Sequence, residues 1–279
     1  MKFLAIILTA AVYVCISPFS ASAAFEQGGA ALVPAIDAFS TWTQFSSPDT
    51  QTPAIDETGC LDYSLAKIAV RYNLPLEDAD VFDSSYDYYT EFVENAVHPA
   101  YTKAIYFSEY FAPYVRFIEH IPITADSAGE SWQEAYAYCR QMQQDIQAAF
   151  VLELSTSSGS SHFVSVDTVN ETEKRLYLYD SGDRFSEYLG DSVSESRGYH
   201  VESIYTIELL AMPGDVDGDF QITWTDSFFL GLMCGFGIED LSVCDANHDG
   251  VLDEADITYI EAFARHMQVQ SPELKSSIK

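Results

Sequence analysis

Asp215-Val216-Asp217-Gly218-Asp219-Phe220-Gln221-Ile222-Thr223-Trp224-Thr225-Asp226 is answered, 30 residues on, by Asp245-Ala246-Asn247-His248-Asp249-Gly250-Val251-Leu252-Asp253-Glu254-Ala255-Asp256. Side chains bearing oxygen stand at positions 1, 3, 5, 9 and 12 of both stretches. A chain that wraps a hard cation needs that alternation, and position 7 adds a backbone carbonyl. The expected ligands are Asp215, Asp217, Asp219, the Gln221 carbonyl, Thr223 and Asp226 in one loop. In the other they are Asp245, Asn247, Asp249, the Val251 carbonyl, Asp253 and Asp256. A lone acidic run is usually a solvated surface. Duplication, with an aliphatic residue at position 8 (Ile222, Leu252) and Asp at position 12, points instead to two Ca2+ sites.

The ordinary calcium loop of this type ends in Glu and follows a helix. Here position 12 is Asp in both copies, and Pro213-Gly214 makes a poor helical lead-in to the first. An apolar helical run follows each loop: Phe228, Phe229, Leu230, Leu232 and Met233, then Ile257, Tyr259, Ile260 and Phe263. From Pro213 to Met267 the chain resembles a type I dockerin, a small all-α module with two EF-hand-like calcium loops. That resemblance implies docking to a cohesin on a scaffold protein, as in a cellulosome. It places partner selection at loop positions 10 and 11, here Trp224, Thr225, Glu254 and Ala255. Position 6 ordinarily requires Gly for a turn with positive φ. Gly250 meets that need and Phe220 does not, so the first loop is expected to be the strained one.

At the other end, Met1–Ala23 has the form of a secretory signal peptide: Lys2, an apolar run, then Ala21-Ser22-Ala23 as a cleavage site. A secreted, extracellular protein without a membrane span is expected. Net charge is −30, from 43 acids against 13 bases, and the excess extends well upstream of the loops. That balance speaks against nucleic-acid or anionic-membrane partners. With 18 Tyr and 18 Phe, the chain has the apolar content of a globular protein. After processing, four cysteines remain: Cys60, Cys139, Cys234 and Cys244. An even count in a secreted chain permits two disulfides. Cys234 with Cys244, both between the apolar runs, is one plausible local bridge.

The organisation read along the chain is a leader over 1–23, an N-terminal segment over 24–50, a main domain over 51–210 and the calcium module over 211–279. Within the main domain, Leu61, Leu65, Ile68, Ala69 and Tyr72 fall at helical spacing over Leu61–Tyr72. Further helices are expected over Ser85–Val97 and Glu130–Ala149, the latter with a Trp132, Tyr136, Cys139, Gln143, Ile146 stripe. Strands are expected over Phe150–Leu154, Phe163–Val169, Leu176–Tyr179 and Val201–Leu210. Helices first and antiparallel strands afterwards make an α+β fold.

Three residues in this domain carry candidate chemistry. Cys60 stands just before the first helix, where the positive end of the helix dipole favours a thiolate. A Ser/Gly loop over 157–161 delivers His162 to the start of a strand, and Asp180 ends the next one. Cys, then His, then a carboxylate or amide is the chain order of papain-like hydrolases. Gln51-Thr52-Pro53, Gly59-Cys60, His162-Phe163-Val164 and Leu176-Tyr177-Leu178-Tyr179-Asp180 together resemble the papain-like peptidases related to the double-glycine-leader (bacteriocin-processing) peptidases. The resemblance covers roughly Gln51 to Leu210. It implies Cys60 as nucleophile, His162 as general base and acid, Asp180 as its orienting partner, and Gln51 at the oxyanion. Gln51 sits nine positions before Cys60, farther than that group's spacing, with Ala54 in the nearer slot.

The same residues admit other readings. Cys60 tied to Cys139 in a disulfide would make the domain a non-catalytic binding or structural module. Carbohydrate-active enzymes are the usual companions of dockerins, but no pair of carboxylates stands out as a glycosidase requires. The remaining histidines lack zinc-ligand spacing, and there is no phosphate loop, nucleophile elbow or dinucleotide fingerprint. The leading expectation is a secreted cysteine peptidase or amide hydrolase acting on a peptide or protein.

Overall fold

Over residues 148–156 the apolar side chains form two interleaved sets, Ala149 and Val151 in one buried cluster and Phe150, Leu152 and Leu154 in another. Successive side chains of a strand point to opposite faces, so this strand is covered on both sides. The computed structural model describes residues 60–75, 100–156, 159, 161–180, 189–190, 199–236 and 241–270. Its elements are α1 (Cys60–Arg71), α2 (Ala100–Tyr110), β1 (Val115–Pro122), α3 (Ala128–Asp145), β2 (Ala148–Thr156), β3 (Ser161–Asn170), β4 (Arg175–Tyr179), β5 (Leu189–Gly190), β6 (Tyr199–Leu209), α4 (Trp224–Phe236), α5 (Leu241–Cys244) and α6 (Glu254–Gln270). The expected signal peptide over 1–23, the N-terminal segment over 24–50, Gln51 and the helix expected over Ser85–Val97 lie outside the described residues.

The sheet has the order β1-β6-β2-β3-β4-β5, and every neighbouring pair is antiparallel. With helices packed against it, the fold is α+β. α1 and α2 lie on one face, where Leu61, Leu65, Ile68, Phe107 and Phe111 meet Val151, Tyr179, Tyr205 and Ile207. α3 covers the other through Trp132, Ala135 and Cys139 against Phe150, Leu152, Val164 and Ile204. Each fully buried Leu, Ile or Phe contributes about 1.5–3 kcal/mol, so both layers are firmly held. No described helix is long and apolar enough to cross a membrane.

Several boundaries differ from expectation. The helix expected over Glu130–Ala149 starts at Ala128, where Ser127 Oγ accepts the Glu130 N–H, and ends at Asp145. Ile146 turns extended, and Ala148 and Ala149 belong to β2 because Glu208 and Ile207 of β6 pair with them. Four elements escaped sequence reasoning: α2, β1 and the short β5 and α5. β1 pairs with β6 in spite of Arg116, Glu119 and His120, which break its apolar pattern.

Among the described residues no disulfide forms: Cys60, Cys139, Cys234 and Cys244 are unbridged. Cys139 sits fully buried on the α3 side, across the sheet from α1, which rules out the expected alternative pairing with Cys60. The Cys234–Cys244 bridge is also absent: Cys244 is buried in the core, and its thiol donates to Met233 Sδ at 3.9 Å.

Candidate active site and C-terminal loops

α1 begins at Cys60, so the thiol occupies the first helical turn, with only 8% of the residue exposed. Ser64, one turn on and fully buried, shares its hydroxyl proton between Cys60 O at 2.8 Å and Phe163 O at 3.2 Å. The start of the helix is thereby tied to the strand residue next to His162. Asp62, in the same turn, accepts two bonds from Lys103 Nζ of α2, at 2.8 and 2.7 Å. Burial pushes Asp62 up to about 6 against the opposing charge and hydrogen bond of Lys103.

His162 is the second residue of β3 and Asp180 directly follows β4, and these strands are neighbours. His162 Nε2 donates to Asp180 Oδ1 at 2.6 Å, with both side chains largely buried. Burial lowers the imidazole pKa, but hydrogen bonds to Asp180 and to Cys60, reinforced by both charges, raise it overall to about 9. With Nε2 committed to Asp180, Nδ1 is the nitrogen left to face sulfur. The Tyr199 ring lies beside the imidazole, tilted, with ring centroids 6.0 Å apart. Cys60, His162 and Asp180 therefore come together as the sequence order implied, whereas Gln51 lies outside the described residues.

Ser64 was missed because a single Ser on an apolar helical stripe gives no chemical signal; its only cue is a position one turn after Cys60. A second polar group, Ser155, His200 and Glu202, lies at the same end of β2 and β6. Both Ser155 Oγ, at 2.9 Å, and Glu202 Oε1, at 2.6 Å, meet the same ring nitrogen, His200 Nε2. A nucleophile relay uses the two ring nitrogens separately, so this group is not a second triad.

The C-terminal loops share most of their backbone-to-carboxylate bonds, although among the described residues Gly218 N to Asp215 Oδ1 occurs in the first alone and Asn247 Nδ2 to Asp249 Oδ2 in the second alone. Asp215 accepts from Asp219 N and Phe220 N, as Asp245 accepts from Asp249 N and Gly250 N. Asp226 accepts from Val216 N, Asp217 N and Thr223 N, as Asp256 accepts from Ala246 N, Asn247 N and Asp253 N. One carboxylate oxygen from each of Asp215, Asp217 and Asp219 lies within 4.8 Å of the others. Burial, helped by the Asp226 charge, raises the pKa of Asp215 to about 6 and also raises that of Asp217. Burial likewise raises Asp256.

Phe220 was expected to strain the first loop, and it does adopt φ 61° where Gly250 has 79°. Position 4 has the same requirement, met by Gly218 at 79° in the first loop and by His248 at 62° in the second. Each loop thus carries one non-glycine in the left-handed region, so the strain is not confined to the first. Trp224, Thr225 and Glu254 are exposed at the starts of α4 and α6, while Ala255 is partly buried; the Arg265 guanidinium lies 5.9 Å from the Trp224 ring centroid. No family model matches this chain, nor does any curated protein or solved structure.

Proposed function

We propose that the protein is a secreted cysteine peptidase or amide hydrolase of papain-like type, carried on a cohesin-bearing scaffold by a C-terminal dockerin with two calcium ions. The observation that carries the hydrolase reading is the chain of contacts Cys60, His162, Asp180 at the mouth of α1. The Cys60 thiolate attacks the substrate carbonyl, and His162 donates its proton to the leaving amine as the C–N bond breaks. His162 then takes a proton from water, whose oxygen displaces sulfur from the acyl-enzyme and frees the acid. Asp180 holds the ring in the tautomer that presents Nδ1 to sulfur and stabilises the imidazolium. By resemblance, Gln51 and the Cys60 backbone N–H receive the oxyanion.

Calcium would be held by Asp215, Asp217, Asp219, the Gln221 carbonyl, Thr223 and Asp226, and by Asp245, Asn247, Asp249, the Val251 carbonyl, Asp253 and Asp256. An all-oxygen donor set suits a hard divalent ion, and crowded carboxylates with raised pKa values would gain from its charge. Trp224, Thr225, Glu254 and Ala255 would meet the cohesin.

Cys60→Ala in the mature protein should abolish both peptide hydrolysis and labelling of the active thiol by iodoacetamide, with an unchanged circular dichroism spectrum. Hydrolysis that survives the substitution would overturn the mechanism.

A further inference from the structure

At its far end, α1 stops on Asn73. Leu74 N bonds Ala69 O at 2.9 Å and Asn73 N bonds Val70 O at 3.2 Å, with Asn73 at φ 48°. That is a left-handed helix cap, a position Asn fills more readily than other non-glycine residues. Capping alone does not require the side chain, yet here it is fully engaged. Asn73 Nδ2 donates to Pro213 O at 2.9 Å and to Ala246 O at 2.8 Å. Asn73 Oδ1 accepts from Tyr259 Oη at 2.8 Å, and its backbone carbonyl accepts from His248 Nε2 at 3.1 Å. A carbonyl can only accept, so His248 carries its proton on Nε2. The residue is 5% exposed.

The partners are informative. Pro213 leads into the first loop, Ala246 and His248 are inside the second, and Tyr259 is on α6. Shifted back by the 30-residue repeat, His248 becomes Gly218 and Tyr259 becomes Phe229. Neither of those side chains could make the bond that its counterpart makes. The two copies therefore diverge where one of them grips α1. Ala246 links that grip to the loop: its N–H donates to Asp256 Oδ1 at 2.9 Å while its carbonyl accepts from Asn73. A single residue separates a position-12 carboxylate from the cap of the helix that begins at Cys60.

We propose that the second repeat is an intramolecular docking surface whose occupant is the Asn73 cap of α1, so that ion binding in that loop tightens the helix carrying Cys60. This rests on the calcium reading above. A wandering Asp256 would leave Ala246 free to move, whereas an ion held by Asp256 fixes it and with it the acceptor for Asn73.

The test uses the full mature chain with calcium chloride, followed by amide hydrogen exchange of residues 66–74 and, separately, by calorimetric titration. In the wild type, calcium should slow exchange of this segment at least tenfold. Asn73→Gly keeps the left-handed backbone and removes every side-chain bond; it should still bind calcium but lose that slowing. Tyr259→Phe, which deletes one bond, should lose part of it. Calcium binding with equal slowing in the wild type and Asn73→Gly, or with no slowing in the wild type, would overturn the coupling alone. No calorimetric binding would overturn the calcium reading and the coupling together.

Discussion

At the scale of single residues, His162 has the most consequential environment. Its pKa of about 9 lies above the ordinary 6.5, so the folded state holds the proton more tightly than the unfolded chain does. The resulting stabilisation is complete below about pH 6.5 and is lost as pH rises through about 9. On the proposed mechanism the alkaline limb of the activity profile reports this same proton. Asp180→Ala removes the leading contribution that raises the pKa, so the limb should move to lower pH and kcat/KM should fall by about a hundredfold. A pH profile of hydrolysis on both forms checks it; an unmoved alkaline limb would mean that Asp180 does not govern the imidazole. Cys60, His162 and Asp180 were legible in the sequence because each sits at an element boundary that local pattern marks. Ser64 was not legible, because its role is to bond a carbonyl 99 residues away, a contact that only the fold creates.

At the scale of elements, side chains of α1 are tied at three places, twice to β3 and once to α2. Ser64 fastens its start to β3, Lys103 of α2 neutralises Asp62, and Arg71 pairs with Asp167 near the end. The Asp62–Lys103 pair matters most for stability, because Asp62 is 2% exposed and removing one partner leaves a buried charge unmatched. Lys103→Met should cost about 3 kcal/mol in urea unfolding, and adding Asp62→Asn should recover most of it. A loss under about 0.5 kcal/mol would place the pair among surface ion pairs. α1, α3 and the central strands of this lobe were readable because their apolar spacing is unbroken. β1 was not: its charged and polar residues are exposed (Arg116) or half-covered, with Arg116 paired to Glu208 and His120 stacked at 4.3 Å on Tyr205. Strand identity there comes from β6, and a single sequence does not reveal its partner. The end of α3 was misjudged for the same reason, since Ala148 and Ala149 favour helix by propensity but are recruited to the sheet.

At the scale of the whole molecule, the sequence divides cleanly near Pro213, yet the buried residues do not. Leu65, Ile68 and Leu74 of the α1 segment belong to one continuous apolar cluster with Met212, Ile222, Leu230, Cys244, Ala246, Ile260 and Phe263. Residues that share a core lose it together, so the α+β part and the two C-terminal loops should unfold in one cooperative step rather than two. An ion that binds only the folded chain stabilises it by about 2.7 kcal/mol per site when present at a hundred times its Kd. For a chain of this size each kcal/mol raises Tm by about 2–4 °C. Two proposed sites together should therefore lift a single calorimetric transition by about 10 °C or more when excess chelator is replaced by saturating calcium. The whole transition should move, including the part reported by the tyrosine-rich sheet. A C-terminal step that shifts alone, with the sheet melting at an unchanged temperature, would show that the shared cluster does not couple the two parts. Gly214 offers a sharper version of the same test. It sits at φ 94° where the chain enters the first loop, and a Cβ there would meet Ile222 Cδ1 at 3.1 Å inside the shared cluster. Gly214→Ala should lower that one transition as a unit, because the strain falls on the seam that both parts use.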